Sequence, residues 1–126
     1  MGSIDDARQI VDRIVSAYNS GDTDALVALY QPDLTYWSAL DGMQEGVEAV
    51  RAHIDHLHET LPDEKMQALT VITDGELVVV EFESTGTNPA GNSYAIEFTE
   101  VFELRDGKVS SIKVYLDPEE IERAMS

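Results

Sequence analysis

One carboxylate in this chain falls where a strand should be purely apolar. From residue 95 to 104 apolar and polar side chains alternate, with Ile96, Phe98, Phe102 and Leu104 on one phase and Ala95, Glu97, Thr99, Val101 and Glu103 on the other. That is the period of a strand with one buried face. Glu100 lies on the apolar phase. An ionised carboxylate without partners is costly to bury, so Glu100 must be paired, protonated, or placed against a cavity that a ligand fills. In a cavity it could donate a hydrogen bond to a developing oxyanion when protonated, or take a carbon-bound proton when ionised. Pairing with an arginine is the structural alternative, but Arg8, Arg13, Arg51, Arg105 and Arg123 all fall outside the predicted inner face.

Three further groups carry titratable or polar chemistry. His53, His56 and His58 share one predicted helix whose apolar stripe runs through Val47, Val50, Ile54, Leu57 and Leu61. At about 100° per residue His56 falls on the solvent side, His53 lies off the stripe and His58 borders it. His58 is thus the candidate proton carrier, and the spacing does not suit a metal site. Tyr36 and Ser38 share a phase in a short strand, whereas Trp37 points the other way, outside or toward an interface. Asp117 precedes Pro118, Glu119 and Glu120, the pattern of a helix N-cap.

The elements that must position these groups follow from periodicity and turn signals. Ile4, Ala7, Ile10, Val11, Ile14, Val15 and Tyr18 make an amphipathic first helix that Asn19-Ser20-Gly21 stops. Asp22 or Thr23 caps a second helix through Ala25, Leu26, Leu29 and Tyr30, ended by Pro32. Leu34 to Ala39 reads as a short strand, Asp41-Gly42 turns the chain, and a third helix runs from Val47 to about Leu61, before Pro62. Four antiparallel strands in a meander come next: Met66–Thr73, Leu77–Thr85, the alternating segment around Glu100, and Val109–Leu116. A short helix starts after Asp117.

With 126 residues, the chain forms one domain, 1–126, large enough to bury a core without staples. It has no cysteine, which removes thiolate nucleophiles and disulfides together. A net charge of -17, spread along the chain, repels phosphate backbones and anionic lipid. Nucleic acid and membrane are therefore not expected partners. The lack of a spanning segment and of an export signal predicts a cytoplasmic location.

Helix, helix, strand, helix, then four strands implies an α+β arrangement in which a strongly curved antiparallel sheet wraps around packed helices. In this order the chain resembles the NTF2-like superfamily, in its SnoaL-like and ketosteroid-isomerase-like branch. The residues that carry the likeness are Tyr18-Asn19-Ser20-Gly21-Asp22, Gly46, Leu61-Pro62-Asp63, the Gly86-Thr87 to Gly91 loop, Asp106-Gly107-Lys108-Val109 and Tyr115-Leu116-Asp117. The resemblance implies a cone-shaped barrel of three N-terminal helices and a short C-terminal one, usually a homodimer, here through the outer sheet face. It also implies an apolar pocket, for which Ile14, Tyr36, Ser38, Phe82, Phe98, Phe102, Val114 and Leu116 are the lining candidates.

In the isomerase branch a protonated carboxyl stabilises an enolate oxygen, and Glu100 matches that position. The general base of that branch corresponds to Ser38 and its phenol donor to Ile14, so its catalytic set is not complete here. Tyr18, one turn beyond Ile14 on the same face, could supply the phenol, and SnoaL-like cyclases use an aspartate at the position of Asp117. Two functions follow. The first is cofactor-independent proton transfer of the isomerase, cyclase or dehydratase type on a small hydrophobic carbonyl compound, with Glu100, Tyr18, His58 and Asp117 as candidates. The second is a binding module that sequesters a ligand or joins subunits.

Overall fold

The computed structural model describes residues 4–126. Its elements are α1 (Ile4–Asn19), α2 (Thr23–Val27), β1 (Tyr30–Ser38), β2 (Gly42–Glu45), α3 (Val47–Thr60), β3 (Lys65–Asp74), β4 (Leu77–Thr87), β5 (Ser93–Arg105), β6 (Lys108–Tyr115) and α4 (Pro118–Ala124). The strands form one six-stranded sheet in the order β2-β1-β6-β5-β4-β3. β3 to β6 are the expected antiparallel meander, whereas β1 joins β6 in parallel. The sheet curls around α1 and α3 but does not close, because β2 and β3 remain its two edges.

Two elements differ from the sequence reading. Asp22 does cap α2, accepting from Ala25 N at 3.0 Å, but the helix ends at Val27 and Tyr30 already belongs to β1. Pro32 does not end a helix. It lies in the part of β1 where pairing with β6 shifts between Tyr30 and Thr35, a stretch that tolerates a missing N–H donor. The segment after Asp41 is a strand, β2, folded back on β1 as a hairpin. Ser38 Oγ shapes that turn by accepting from Leu40 N at 3.2 Å and Asp41 N at 3.0 Å. Gly46, at φ 88°, then starts α3 in a conformation that a side chain would strain.

The core is the inner face of the sheet against the apolar stripes of the helices. Ala7, Val11 and Ile14 from α1 and Val50 and Ile54 from α3 meet Leu34, Val78, Val80, Phe82, Phe102, Val109, Ile112 and Val114. Burial of this kind dominates the stability of a domain this size. No helix among the described residues is long and apolar enough to cross a membrane.

Candidate functional site

Between α3, the second half of α1, α4 and the inner sheet face lies a cavity of about 330 Å³. Glu100 is on its wall, midway along β5. Its side chain is half-buried, and what remains accessible belongs to a residue that lines this space. Its strand neighbours Val80 and Val114 are buried and apolar. No donor or cation among the described residues engages it, so burial alone pushes its pKa from 4.5 to about 8.

Two phenols accompany it. Tyr30 and Tyr36 line the same cavity. Burial first, and the negative charge of Glu100 second, raise both phenol pKa values far above the ordinary range, so each remains a protonated donor. Neither hydroxyl has a partner among the described residues. Tyr30 escaped the sequence reading because it was given to a helix. As a β1 residue, in phase with Leu34, Tyr36 and Ser38 apart from the irregularity at Pro32, it faces inward.

The histidines on the wall are His53 and, at the exposed rim, His56, which the sequence reading put on the solvent side; His58 is not among them. His58 lies behind Tyr18, its Nε2 3.1 Å from Tyr18 O and its ring 4.9 Å from the Tyr18 ring. This makes it a strut for the α1 terminus, which corrects its placement as a cavity group. His53 packs 5.7 Å from the Tyr36 ring, and burial lowers its pKa below 6.5, opposed by Asp41. Its spacing to Val50 and Leu57, at i-3 and i+4, carried the signal, since both neighbours line the cavity.

Of the other expected lining residues, Ile14, Tyr36, Ser38, Phe98, Val114 and Leu116 are on the wall, as is Tyr18. Phe82 and Phe102 are not: at 0% and 1% exposure they are packed into the core, and Phe82 reaches only the Phe98 ring, at 5.6 Å. Asp117 is exposed and separate from Glu100, beside a surface depression formed with Glu81, Glu97, Thr99 and Tyr115. There it caps α4 by accepting from Glu119 N at 2.9 Å.

At the end of the cavity nearer the β4–β5 loop stands a second carboxylate, Glu64. Tyr18 OH donates to its Oε1 and Ser84 Oγ to its Oε2, with Tyr94 OH 3.2 Å from the Ser84 hydroxyl. Sequence reading took Leu61-Pro62-Asp63 as a helix stop and as part of the family likeness, and nothing in the local pattern marks the next residue as inward. Asp63 fixes this loop, accepting from Thr87 N at 2.9 Å and Thr87 Oγ1 at 2.7 Å. Among the described residues the wall has neither lysine nor arginine. Arg51, Arg105 and Arg123 are paired outside with Asp24, Asp33 and Glu119. No group of three metal-ligating side chains is assembled among the described residues.

The sequence profile of the SnoaL-like domain matches residues 11–112. No curated protein matches the chain. Among solved structures, a provisionally named SnoaL-like polyketide cyclase from Jannaschia sp. superposes with a TM-score of 0.87 at 22% identity, over 100% of this chain and 96% of that one. A ketosteroid-isomerase-like protein from Catenulispora acidiphila, in complex with trimethylamine, gives 0.81 at 18% identity over 92% and 91%. A Mycobacterium tuberculosis LEH-like epoxide hydrolase gives 0.78 at 18% identity over 95% and 89%. At these identities the structures speak for the fold alone, and the profile, spanning most of the chain, decides the family: the protein is a SnoaL-like member of the NTF2-like superfamily.

Proposed function

We propose that the cavity binds a small, largely apolar carbonyl compound and that Glu100 exchanges a proton with it, in a reaction of the isomerase, cyclase or dehydratase type. The observation that carries this reading is a carboxyl on the cavity wall with no partner among the described residues. Raised to about 8, Glu100 is a stronger base than an ordinary carboxylate once it ionises. Its oxygen takes the proton from the carbon next to the carbonyl; the C–H electron pair moves into the new C–C double bond, and the carbonyl becomes an enolate oxygen. Tyr30 and Tyr36, neutral donors near Glu100, are suited to that oxygen. Return of the proton to a different carbon isomerises the compound; alternatively the enolate electrons form the Cα–Cβ double bond as the β-hydroxyl takes the proton from Glu100 and leaves as water, which dehydrates it.

The test is hydrogen exchange in deuterium oxide, followed by proton NMR, with a panel of cyclic enones and β-diketones. Exchange should rise with pH through about 8 and fall roughly a hundredfold in Glu100→Gln. A rate that falls with pH instead would assign Glu100 the role of acid. Binding without exchange by any panel member would favour a sequestering module, a reading supported by Ile14 and Ser38 at the two positions where the isomerase branch keeps its phenol and base.

We also propose a homodimer through the outer sheet face. Met43, Trp37, Lys113, Val101, Val79 and Ile72 stand in one cross-strand row over all six strands, apolar except for Lys113. Met43 is 58% and Ile72 57% exposed in the single chain, as an uncovered interface would be.

A further inference from the structure

The Glu64 carboxylate is a permanent feature of the cavity that proton transfer at Glu100 does not use. Both of its oxygens accept, from the Tyr18 and Ser84 hydroxyls, as those of a carboxylate anion do. These two donors come from α1 and β4, so the group is held in place at one end of the cavity. The nearest candidate cation turns away: Lys65, next in sequence, donates its ammonium to Asn19 O at 3.0 Å. Glu64 has no ion pair among the described residues. The cavity wall as a whole adds Asp41 and the rings of Tyr18, Tyr94 and Phe98, with no lysine or arginine among the described residues.

Its distance from Glu100 is set by the sheet. Ser84 pairs with Ile96 and Val80 with Glu100, so the two stations are four residues apart along β4, roughly 13 Å at strand rise. That span separates the two ends of one elongated ligand.

We propose that Glu64 recognises a cationic group, an ammonium, at the end of the ligand remote from Glu100, so that the substrate class is an amine-bearing apolar carbonyl compound. The inference rests on the ligand-binding reading of the cavity and adds the charge of the ligand to it. Several features favour this charge. An anion would meet Glu64 and Asp41 without a compensating base, and a neutral head group would leave the fixed charge unanswered. A cation gains the carboxylate, in a wall that also carries the aromatic rings of Tyr18 and Tyr94. Burial disfavours the charged form of His53, which lessens any repulsion from that ring. The net charge of -17 draws cations toward the molecule from a distance.

The test is titration calorimetry with octylammonium, 1-octanol and octanoate, one chain carrying three head-group charges, at pH 7 in 150 mM salt (a concentration near the physiological level, where the Debye length is about 8 Å). Octylammonium should bind roughly tenfold more tightly than octanol, and octanoate most weakly. In Glu64→Gln, whose amide can still accept from one hydroxyl, the advantage of the ammonium should shrink to about twofold while octanol binds as before. Glu103→Gln, on the exposed phase of β5, removes the same charge away from the cavity and should leave the preference intact.

Octanol binding the native protein as tightly as octylammonium would overturn the inference and leave the cavity reading standing. An equal loss in Glu103→Gln and Glu64→Gln would overturn it too, by assigning the preference to the overall field. Failure of all three compounds to bind would overturn the cavity reading itself. The head-group series on the native protein decides the matter even where the variant does not fold.

Discussion

Glu100 stands directly across from Val114 in the antiparallel β5–β6 pair. Val114 in turn stands beside Ser38 in the parallel β1–β6 pair, and on the other side of Glu100 come Val80 and Val71. The carboxyl is therefore the one ionisable group in an inward row that crosses the sheet, and none of its neighbours in that row except Ser38 has a polar side chain. Ser38 already holds the turn after β1 with its hydroxyl oxygen. Whatever hydrogen-bonds to Glu100 must arrive in the cavity.

The first prediction concerns stability against pH. The folded-state pKa of Glu100 lies above its unfolded value, so its contribution is fully present below about 4.5 and is lost as pH rises through about 8. The loss over that window is about 3 kcal/mol, after allowance for the water that the cavity admits. Urea unfolding at pH 5 and pH 8.5 should show the native protein losing this much relative to Glu100→Gln. Parallel curves for the two proteins would contradict the burial of the carboxyl.

His53 works in the opposite sense. Its folded pKa is depressed below 6.5 by burial, against the pull of Asp41 and Glu64 and with a small push from His56. Its neutral form stabilises the fold above the unfolded pKa, and that stability is lost as pH falls through the folded value. Between pH 7.5 and pH 5 the melting temperature of the native protein should therefore fall further than that of His53→Gln. A larger fall in the variant would mean that the ring is solvated.

Much of this layout was legible from sequence because long amphipathic elements announce themselves. The alternation from Ile96 to Leu104 identified the inner face of β5, and the spacing of Val50, Ile54 and Leu57 identified the inner face of α3. What escaped detection depends on contacts distant in the chain. β2 is four residues long and exists by pairing with β1, a signal too short for periodicity. Tyr30 changes from helix to strand because Val109, far along the chain, pairs with it. Glu64 turns inward because Tyr18 and Ser84 donate to it, and neither is near it in sequence. Phe82 and Phe102 had the right phase for the cavity, yet phase cannot separate a packed core position from a lining one.

Asn88 should act as the latch of α4. It is 5% exposed, and its Nδ2 donates to Ala124 O at 2.9 Å and Ser126 O at 3.1 Å while Oδ1 accepts from Asn92 N at 2.9 Å. Asn88→Ala leaves Ala124 O unpaired and Ser126 O with only the Asn92 Nδ2 donor, at a cost of about 2 kcal/mol. α4, which has no buried residue of its own, should then exchange its amide hydrogens faster while β5 stays protected. Because Ile121 and Met125 line the cavity, octanol should also dissociate faster. Unchanged exchange in α4 would show that it is held by other contacts.

The outer row offers a separate test. Val101→Glu places a carboxylate beside Val79 and Lys113, in the middle of the proposed interface, with its side chain directed away from the core. Sedimentation should show a dimer for the native chain and a monomer for the variant, with the melting temperature lowered to match the lost association. A native chain that sediments as a monomer at micromolar concentration would remove the homodimer.

The parallel joint between β1 and β6 also governs when the cavity can come into being. Residues 30–38 must wait for residues 109–114 before the β1–β6 joint can form, and closing so long a stretch of chain is entropically slow. During synthesis on the ribosome the early helices therefore emerge with their greasy stripes uncovered, and Glu100 appears before the strand that walls it in. The cavity is completed only by the last elements of the chain, so a nascent chain halted before β6 lacks one of its walls.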